Sequence, residues 1–193
     1  MLNIILFGPP GAGKGTQSEK IIEKYDLIHI STGHLFRRHI GEGTSLGKLA
    51  QEYIVDGNLV PDELVIKMVE VKINTHPKAK GFIFDGFPRT VAQAVALDAM
   101  LEKQQMPIKI MLALEVEDEE LRTRLRLRAK TSGRADDQDD DKINNRIRIY
   151  KKETVPVATY YDKMDKYYGI NGIGGIDEIF NDICMAIDLV KIN

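Results

Sequence analysis

The stretch Gly8-Pro9-Pro10-Gly11-Ala12-Gly13-Lys14-Gly15-Thr16 follows directly on the apolar run Leu2 to Phe7, and its residue types suit the gripping of phosphate. Glycines let a backbone turn tightly and aim successive amide N–H groups at anionic oxygens with no side chain in the way. Lys14 adds a mobile positive charge. A helix expected from about Thr16 to Lys24 would set the positive end of its dipole under the same anion, and Thr16 is the hydroxyl expected to ligate Mg²⁺. The general pattern has Ser or Thr directly after the lysine, whereas here Gly15 intervenes. A plain strand-to-helix turn needs one or two glycines and has no use for the lysine, so the segment is read as a polyphosphate loop.

Phe82-Ile83-Phe84-Asp85 is an apolar strand ending in a carboxylate. Beside a phosphate loop, such a carboxylate holds Mg²⁺ through water. Alone, it is as readily a turn residue. Arg124, Arg128, Arg134 and Arg146 crowd one part of the sequence, with Arg37 and Arg89 arriving from elsewhere. Guanidinium groups suit phosphate oxygens and stabilise the charge spread over a phosphoryl group in transfer. Some arginines must instead belong to solvated helix faces: Arg122 lies one turn beyond Asp118 and shares a face with Arg126, while Arg124 and Arg128 lie across the Leu121 and Leu125 stripe. Spacing alone leaves open which pair points inward.

The acidic run Asp136 to Asp141, with Gln138 inside it, lacks the glycine and terminal glutamate of a calcium loop. It is expected to seed the next helix and to pair with nearby arginines. His29, His34, His39 and His76 show no zinc spacing and are expected to be surface or packing residues. The sole cysteine, Cys184, falls in the helical stripe Ile176, Ile179, Phe180, Ile183, Cys184, Ile187 and is read as a buried structural thiol, which fits a reducing, cytoplasmic setting.

These groups need a scaffold. Short apolar runs at Asn3 to Phe7, Leu27 to Ile30, Gly81 to Phe84, Ile108 to Leu114 and Tyr168 to Ile170 alternate with helical patterns, the signature of a parallel sheet wrapped by helices. Ser31-Thr32, Thr44-Ser45, Pro61-Asp62-Glu63 and Thr90 mark helix starts. Residues 31–60 and 127–137 break the strand-helix rhythm and are read as insertions at the ligand-facing strand ends. The 193 residues, 43% hydrophobic, suit one domain; a net charge of −2 argues against a nucleic-acid binder, and no run reaches membrane-spanning length. Strand-like residues directly after Met1 leave no room for a signal peptide. A monomer with small-molecule partners is expected.

The motifs Gly8-x-Pro10-Gly11-x-Gly13-Lys14-Gly15-Thr16-Gln17, Ser31-Thr32-Gly33-x-x-x-Arg37, Asp85-Gly86-Phe87-Pro88-Arg89 with Gln93, and Thr131-Ser132-Gly133-Arg134-x-Asp136-Asp137 resemble those of the short-lid adenylate kinases, within the nucleoside monophosphate kinases. The resemblance runs in order from Leu2 to about Ile187. It implies an α/β P-loop three-layer fold with a five-stranded parallel sheet, a small helical NMP-binding insertion (31–60), a short lid (127–137), and a core of 1–30, 61–126 and 138–193. It implies reversible transfer of a phosphoryl group from MgATP to AMP, giving two ADP. Gly11, Ala12, Gly13, Lys14, Gly15 and Thr16 would bind ATP phosphates, Arg124 and Arg128 would flank ATP, and Gly174 would touch its base or ribose. Thr32, Arg37, Asn58, Leu59, Val60, Gly86, Phe87, Pro88, Arg89 and Gln93 would hold AMP, and Arg134 and Arg146 would bridge the exchanging phosphates. Lys14, Arg89 and the four clustered arginines would be catalytic, with Thr16 and Asp85 serving Mg²⁺.

Arg128 and Arg134 are six positions apart, which leaves no room for the zinc-binding segment of long-lid relatives. Two departures stand out: His34 replaces the usual acid after Ser-Thr-Gly, and the spacing from Arg134 to Arg146 is one residue longer than in the commonest short-lid pattern. A pyrimidine nucleoside monophosphate kinase would share the loop, arginines and flaps, but Thr32 and Gln93 supply the hydroxyl and carboxamide that suit adenine. A nucleotide switch would need neither Arg89 and Gln93 nor the flap arginines.

Overall fold

The computed structural model describes residues 1–192. The apolar runs form five strands, β1 (Ile4–Phe7), β2 (Ile28–Ser31), β3 (Phe82–Asp85), β4 (Ile110–Glu115) and β5 (Tyr167–Asn171). All pair in parallel in the order β2-β3-β1-β4-β5. Side chains alternate between two cores. Ile5, Phe7, Ile30, Phe82, Phe84 and Met111 are buried on one face, and Ile4, Leu6, Ile83, Ile110, Leu112 and Leu114 on the other. A strand apolar on both faces must be covered on both, so the helices form the outer layers of a three-layer α/β structure.

Helix α1 (Lys14–Tyr25) begins at the lysine, two residues earlier than expected. The next helices are α2 (Thr32–Gly41), α3 (Ser45–Ile54), α4 (Asp62–Asn74) and α5 (Val91–Lys103). Their starts follow the sequence signals: the side chains of Ser31, Thr44 and Thr90 accept from the backbone N–H groups of His34, Gly47 and Gln93. Helices α2 and α3 pack with no strand between them, and Gly47 permits it, since a Cβ there would lie 2.1 Å from the His39 carbonyl oxygen.

Beyond β4, α6 (Asp118–Ser132) carries the first two clustered arginines. Helix α6 continues to Ser132, so the first part of residues 127–137 is helical, and it turns at Gly133, whose φ of 61° suits glycine. A short 3₁₀ turn (Ala135–Asp137) leads to α7 (Asp140–Ile149), capped by the Asp139 carboxylate, which accepts from Lys142 N–H. One π-helical turn (Tyr150–Thr154) joins α7 to α8 (Val155–Asp162). The last helix, α9 (Ile176–Ile192), buries Ile179, Ile183, Cys184 and Ile187 as the stripe predicts, although Ile176 is exposed. Among the described residues no helix is long and apolar enough to cross a membrane.

Candidate active site

In a doubly wound sheet the ligand crevice opens at the carboxyl ends of the strands, where the connections diverge to opposite faces. Here β1 lies between β3 and β4, and the loops leaving β1, β2 and β3 enclose a cavity of about 460 Å³. Gly11, Ala12, Gly13, Lys14, Gly15 and Thr16 line it, together with Asp85, Gly86, Phe87, Pro88 and Arg89. Arg37, Arg124, Arg128, Arg134 and Arg146 complete the wall.

Gly13 takes a φ of 93°, which L side chains rarely adopt, and so turns the chain into α1. The first α1 amides lack intrahelical partners and point into the cavity end of the helix, a ready anion site. Lys14 Nζ donates to the carbonyls of Gly8 (2.7 Å) and Pro9 (2.9 Å). Burial, with the nearby Arg89, Arg146 and Arg128, outweighs the attraction of Asp85 and brings the Lys14 ammonium down to about 8.

Asp85, at the end of β3, pairs in register with Leu6 on β1 and Ser31 on β2. Burial pushes its carboxyl up, but His29, Lys14 and Arg89 outweigh this and hold it below the usual range. The ionised carboxylate and the Thr16 hydroxyl therefore share one cavity, oxygen donors of the kind that would suit Mg²⁺ beside a polyphosphate. His29 Nε2 lies 3.5 Å from Asp85 Oδ2, and the rings of His29 and His34 meet edge to face at 5.9 Å. From the sequence His29 reads as a surface or packing residue; its place on β2, one strand from Asp85, is the signal that links it to the site. His34 lines the cavity, and burial, Arg37 and His29 hold it below the ordinary histidine value against the pull of Asp85.

The structure decides the arginine question. Arg124 and Arg128 face the cavity, whereas Arg122 pairs with Glu119 and Asn144, and Arg126 with Asp140. Arg128 donates twice to Asp137 (2.7 and 2.9 Å), and Arg146 donates to the same carboxylate and forms an ion pair with Asp136 at 3.0 Å. The acidic run thus serves the arginines and caps α7, and the longer spacing still delivers Arg146 to the cavity. Lys14, Arg37, Arg89 and Arg134 form no ion pair among the described residues. Burial, and then Arg134, lowers Arg37 to about 10, and burial also lowers Arg89 and Arg134, each with an arginine neighbour adding to the effect. Such a concentration of uncompensated cations calls for a polyanion.

A second, smaller cavity of about 70 Å³ shares Arg37, Gly86, Arg89 and Arg146 with the first. Thr32, Asn58, Leu59, Val60 and Gln93 line it as well, so the residues expected to act with Arg89 converge from α2, the loop after α3 and α5. The Gly86 carbonyl accepts from Thr32 Oγ1 and Arg89 Nε, both at 2.8 Å. Asp62, read from the sequence only as a helix-start acid, accepts from Gln93 Nε2 at 2.7 Å. Gly174 lines neither cavity. It belongs to the turn after β5, to which Arg124 donates through the Gly172 carbonyl at 3.1 Å. Among the described residues no group of three or more His, Cys, Asp or Glu is arranged to hold a metal by protein ligands alone.

Comparison with known proteins agrees with this geometry. The family model described as adenylate kinase matches residues 6–166. The chain is 52% identical over 188 residues to an adenylate kinase of Flavobacterium psychrophilum, covering 97% of this chain and 99% of that one. Over the same span and shares it is 50% identical to one of Bacteroides thetaiotaomicron, and it is 49% identical over 191 residues to one of Parabacteroides distasonis. With the phosphate loop, the paired cavities and the inward arginines in place, the chain belongs to the adenylate kinase family of phosphotransferases.

Proposed function

We propose that the enzyme transfers a phosphoryl group reversibly between MgATP in the large cavity and AMP in the small one, with the two phosphate ends meeting where the cavities join. The observation that carries this reading is the wall they share: Arg37, Arg89 and Arg146 border both spaces, and among the described residues no carboxylate forms an ion pair with Arg37 or Arg89. The α1 N-terminus and Lys14 hold the donor's phosphates, with Arg124 and Arg128 beside them and the turn at Gly174 toward the base. Arg37 and Arg89 hold the acceptor phosphate, and Arg134 and Arg146 reach both nucleotides. The Thr32 hydroxyl spends its proton on the Gly86 carbonyl, so what it offers the small cavity is an acceptor, which suits the adenine amino group.

Phosphoryl transfer passes through a loose, metaphosphate-like state, so these residues need only align donor and acceptor, balance charge and exclude water. No general base is required. Thr16 and Asp85, with the nucleotide's phosphates, would hold Mg²⁺, which would supply further charge neutralisation when bound. Residues 31–60 and 127–137 act as the flaps that exclude water, and the second closes through arginine–aspartate contacts with no zinc. The protein works as a cytoplasmic monomer in adenine nucleotide balance. A coupled assay for ADP from ATP plus AMP tests the reading, with ATP alone, CMP and UMP as controls. Rapid turnover of ATP alone, or a preference for the pyrimidines, would overturn it.

A further inference from the structure

Gln93 is buried to 1% exposure, and its carboxamide is held at both ends. Its Oε1 accepts from the Arg89 backbone N–H at 2.7 Å, and its Nε2 donates to Asp62 Oδ1 at 2.7 Å. The other Asp62 oxygen accepts from the Thr90 hydroxyl at 2.8 Å, and Thr90 Oγ1 accepts in turn from Gln93 N–H at 3.2 Å. Asp62, Thr90 and Gln93 thereby form a closed ring of hydrogen bonds behind the small cavity, tying the first residue of α4 to the start of α5.

This ring determines which way the amide points. A carboxylate only accepts and a backbone N–H only donates, so turning the amide over would set oxygen against oxygen and N–H against N–H. Each end of the amide has capacity left after these bonds, one lone pair on Oε1 and one N–H on Nε2, for whatever enters the cavity that Gln93 lines. Adenine presents an amino donor beside a ring-nitrogen acceptor. A 6-oxopurine presents a carbonyl acceptor beside a ring N–H donor, the reverse pattern. A glutamine free to turn serves both, and a pinned one serves a single pattern.

We infer that Asp62 is a positioning residue that makes the site discriminate adenine from 6-oxopurine acceptor nucleotides by preventing the Gln93 amide from turning over. This rests on the reading that the small cavity takes the acceptor's base. Asp62 touches no substrate itself; it acts through Gln93.

The test measures kcat and KM for AMP and for IMP at saturating MgATP in the natural protein and in Asp62→Ala, Asp62→Asn and Gln93→Ala. Losing a hydrogen bond to a charged acceptor is expected to raise the IMP-to-AMP ratio of kcat/KM by about tenfold in Asp62→Ala. That change should come mainly through KM for the monophosphate, with KM for ATP unmoved. Asp62→Asn keeps the shape and one acceptor oxygen but can itself turn, so its ratio falls between; it carries the test should Asp62→Ala fold poorly. If Asp62 only stabilises α4, both acceptors lose equally and the ratio stays at its natural value, which overturns the inference while Gln93→Ala still alters the ratio. If Gln93→Ala changes neither KM for AMP nor the ratio, the base does not lie at Gln93, and the placement of AMP falls together with the inference.

Discussion

Arg128 and Asp137 meet fork to fork, Nε to Oδ2 at 2.7 Å and Nη2 to Oδ1 at 2.9 Å, and the same fully buried carboxylate also accepts from Arg146. One anion from the turn before α7 therefore balances two cavity arginines carried on different helices. Breaking a buried pair by removing one partner costs about 3–5 kcal/mol, and the 30% exposure of the Arg128 side chain reduces that here. Asp137→Asn is expected to lower stability by about 2 kcal/mol in urea unfolding, whereas Asp140→Asn, which breaks the solvent-exposed pair with Arg126, should have a much smaller effect. Equal effects would show that Asp137 has no special place.

Arg89 is anchored through Nε to the Gly86 carbonyl, which leaves the rest of its guanidinium to serve the acceptor phosphate of the proposed reaction. Arg89→Ala should cut kcat/KM for AMP by at least about tenfold, the scale of a hydrogen bond to a charged group, and should also lower kcat. Arg89→Lys keeps the charge but not the fork, so most of the loss should persist. Steady-state kinetics with AMP varied checks both; unchanged rates would place Arg89 outside the transfer path.

The lowered Lys14 ammonium predicts a pH dependence of ATP binding. Free Lys14 titrates near 8, and a bound polyphosphate favours its charged form. Below about pH 8 the lysine is already protonated; above it, binding must take up a proton, so affinity should fall as pH rises through about 8. Calorimetric titration with ATP at pH 7, 8 and 9 reads this directly, and Lys14→Arg, whose charge is permanent, should be flat over that range.

His34 stands where the short-lid pattern has an acid, in the cavity that also holds Asp85 and Thr16, and its lowered pKa keeps it neutral at the ordinary histidine value. The rise in Mg²⁺ requirement expected from its protonation should therefore begin below about pH 6.5 rather than be centred there. Mg²⁺ titrations of the forward reaction should nearly superimpose at pH 7.5 and 6.5 in the natural protein, and His34→Asp should need less Mg²⁺ at both. Removing Mg²⁺ should stop transfer, while a zinc-selective chelator should leave it intact; loss of activity with the latter would refute a zinc-free second flap.

The sheet was legible because a strand buried on both faces must be apolar throughout, and runs such as Ile4 to Phe7 and Phe82 to Phe84 have few other uses. The phosphate loop was legible because its chemistry is local: glycines, lysine and helix start occupy adjacent positions. Polar pairing between distant segments was not. That Arg124 rather than Arg122 faces inward depends on where α6 lies against the loop at Gly11 and against α7, and helical spacing supports either choice. Asp62 reads as an ordinary first-turn acid until α5 folds across it, and His29 gains its carboxylate neighbour only when β2 pairs with β3. The end of α6 was not legible either, because glycine, arginine and aspartate over 127–137 look loop-like as a whole, although only Gly133 ends the helix.

The strand order also bears on how the chain acquires its grip during synthesis. β1 is hydrogen-bonded on one side to β3 and on the other to β4, so the strand that launches the phosphate loop stays open along one edge until Ile110 to Ala113 of β4 have been made. A nascent chain already displays every residue of the loop long before the sheet that aims it exists. Nucleotide affinity therefore arises late, from segments made far apart in time, and an amino-terminal fragment carrying the loop alone should hold its sequence without its function.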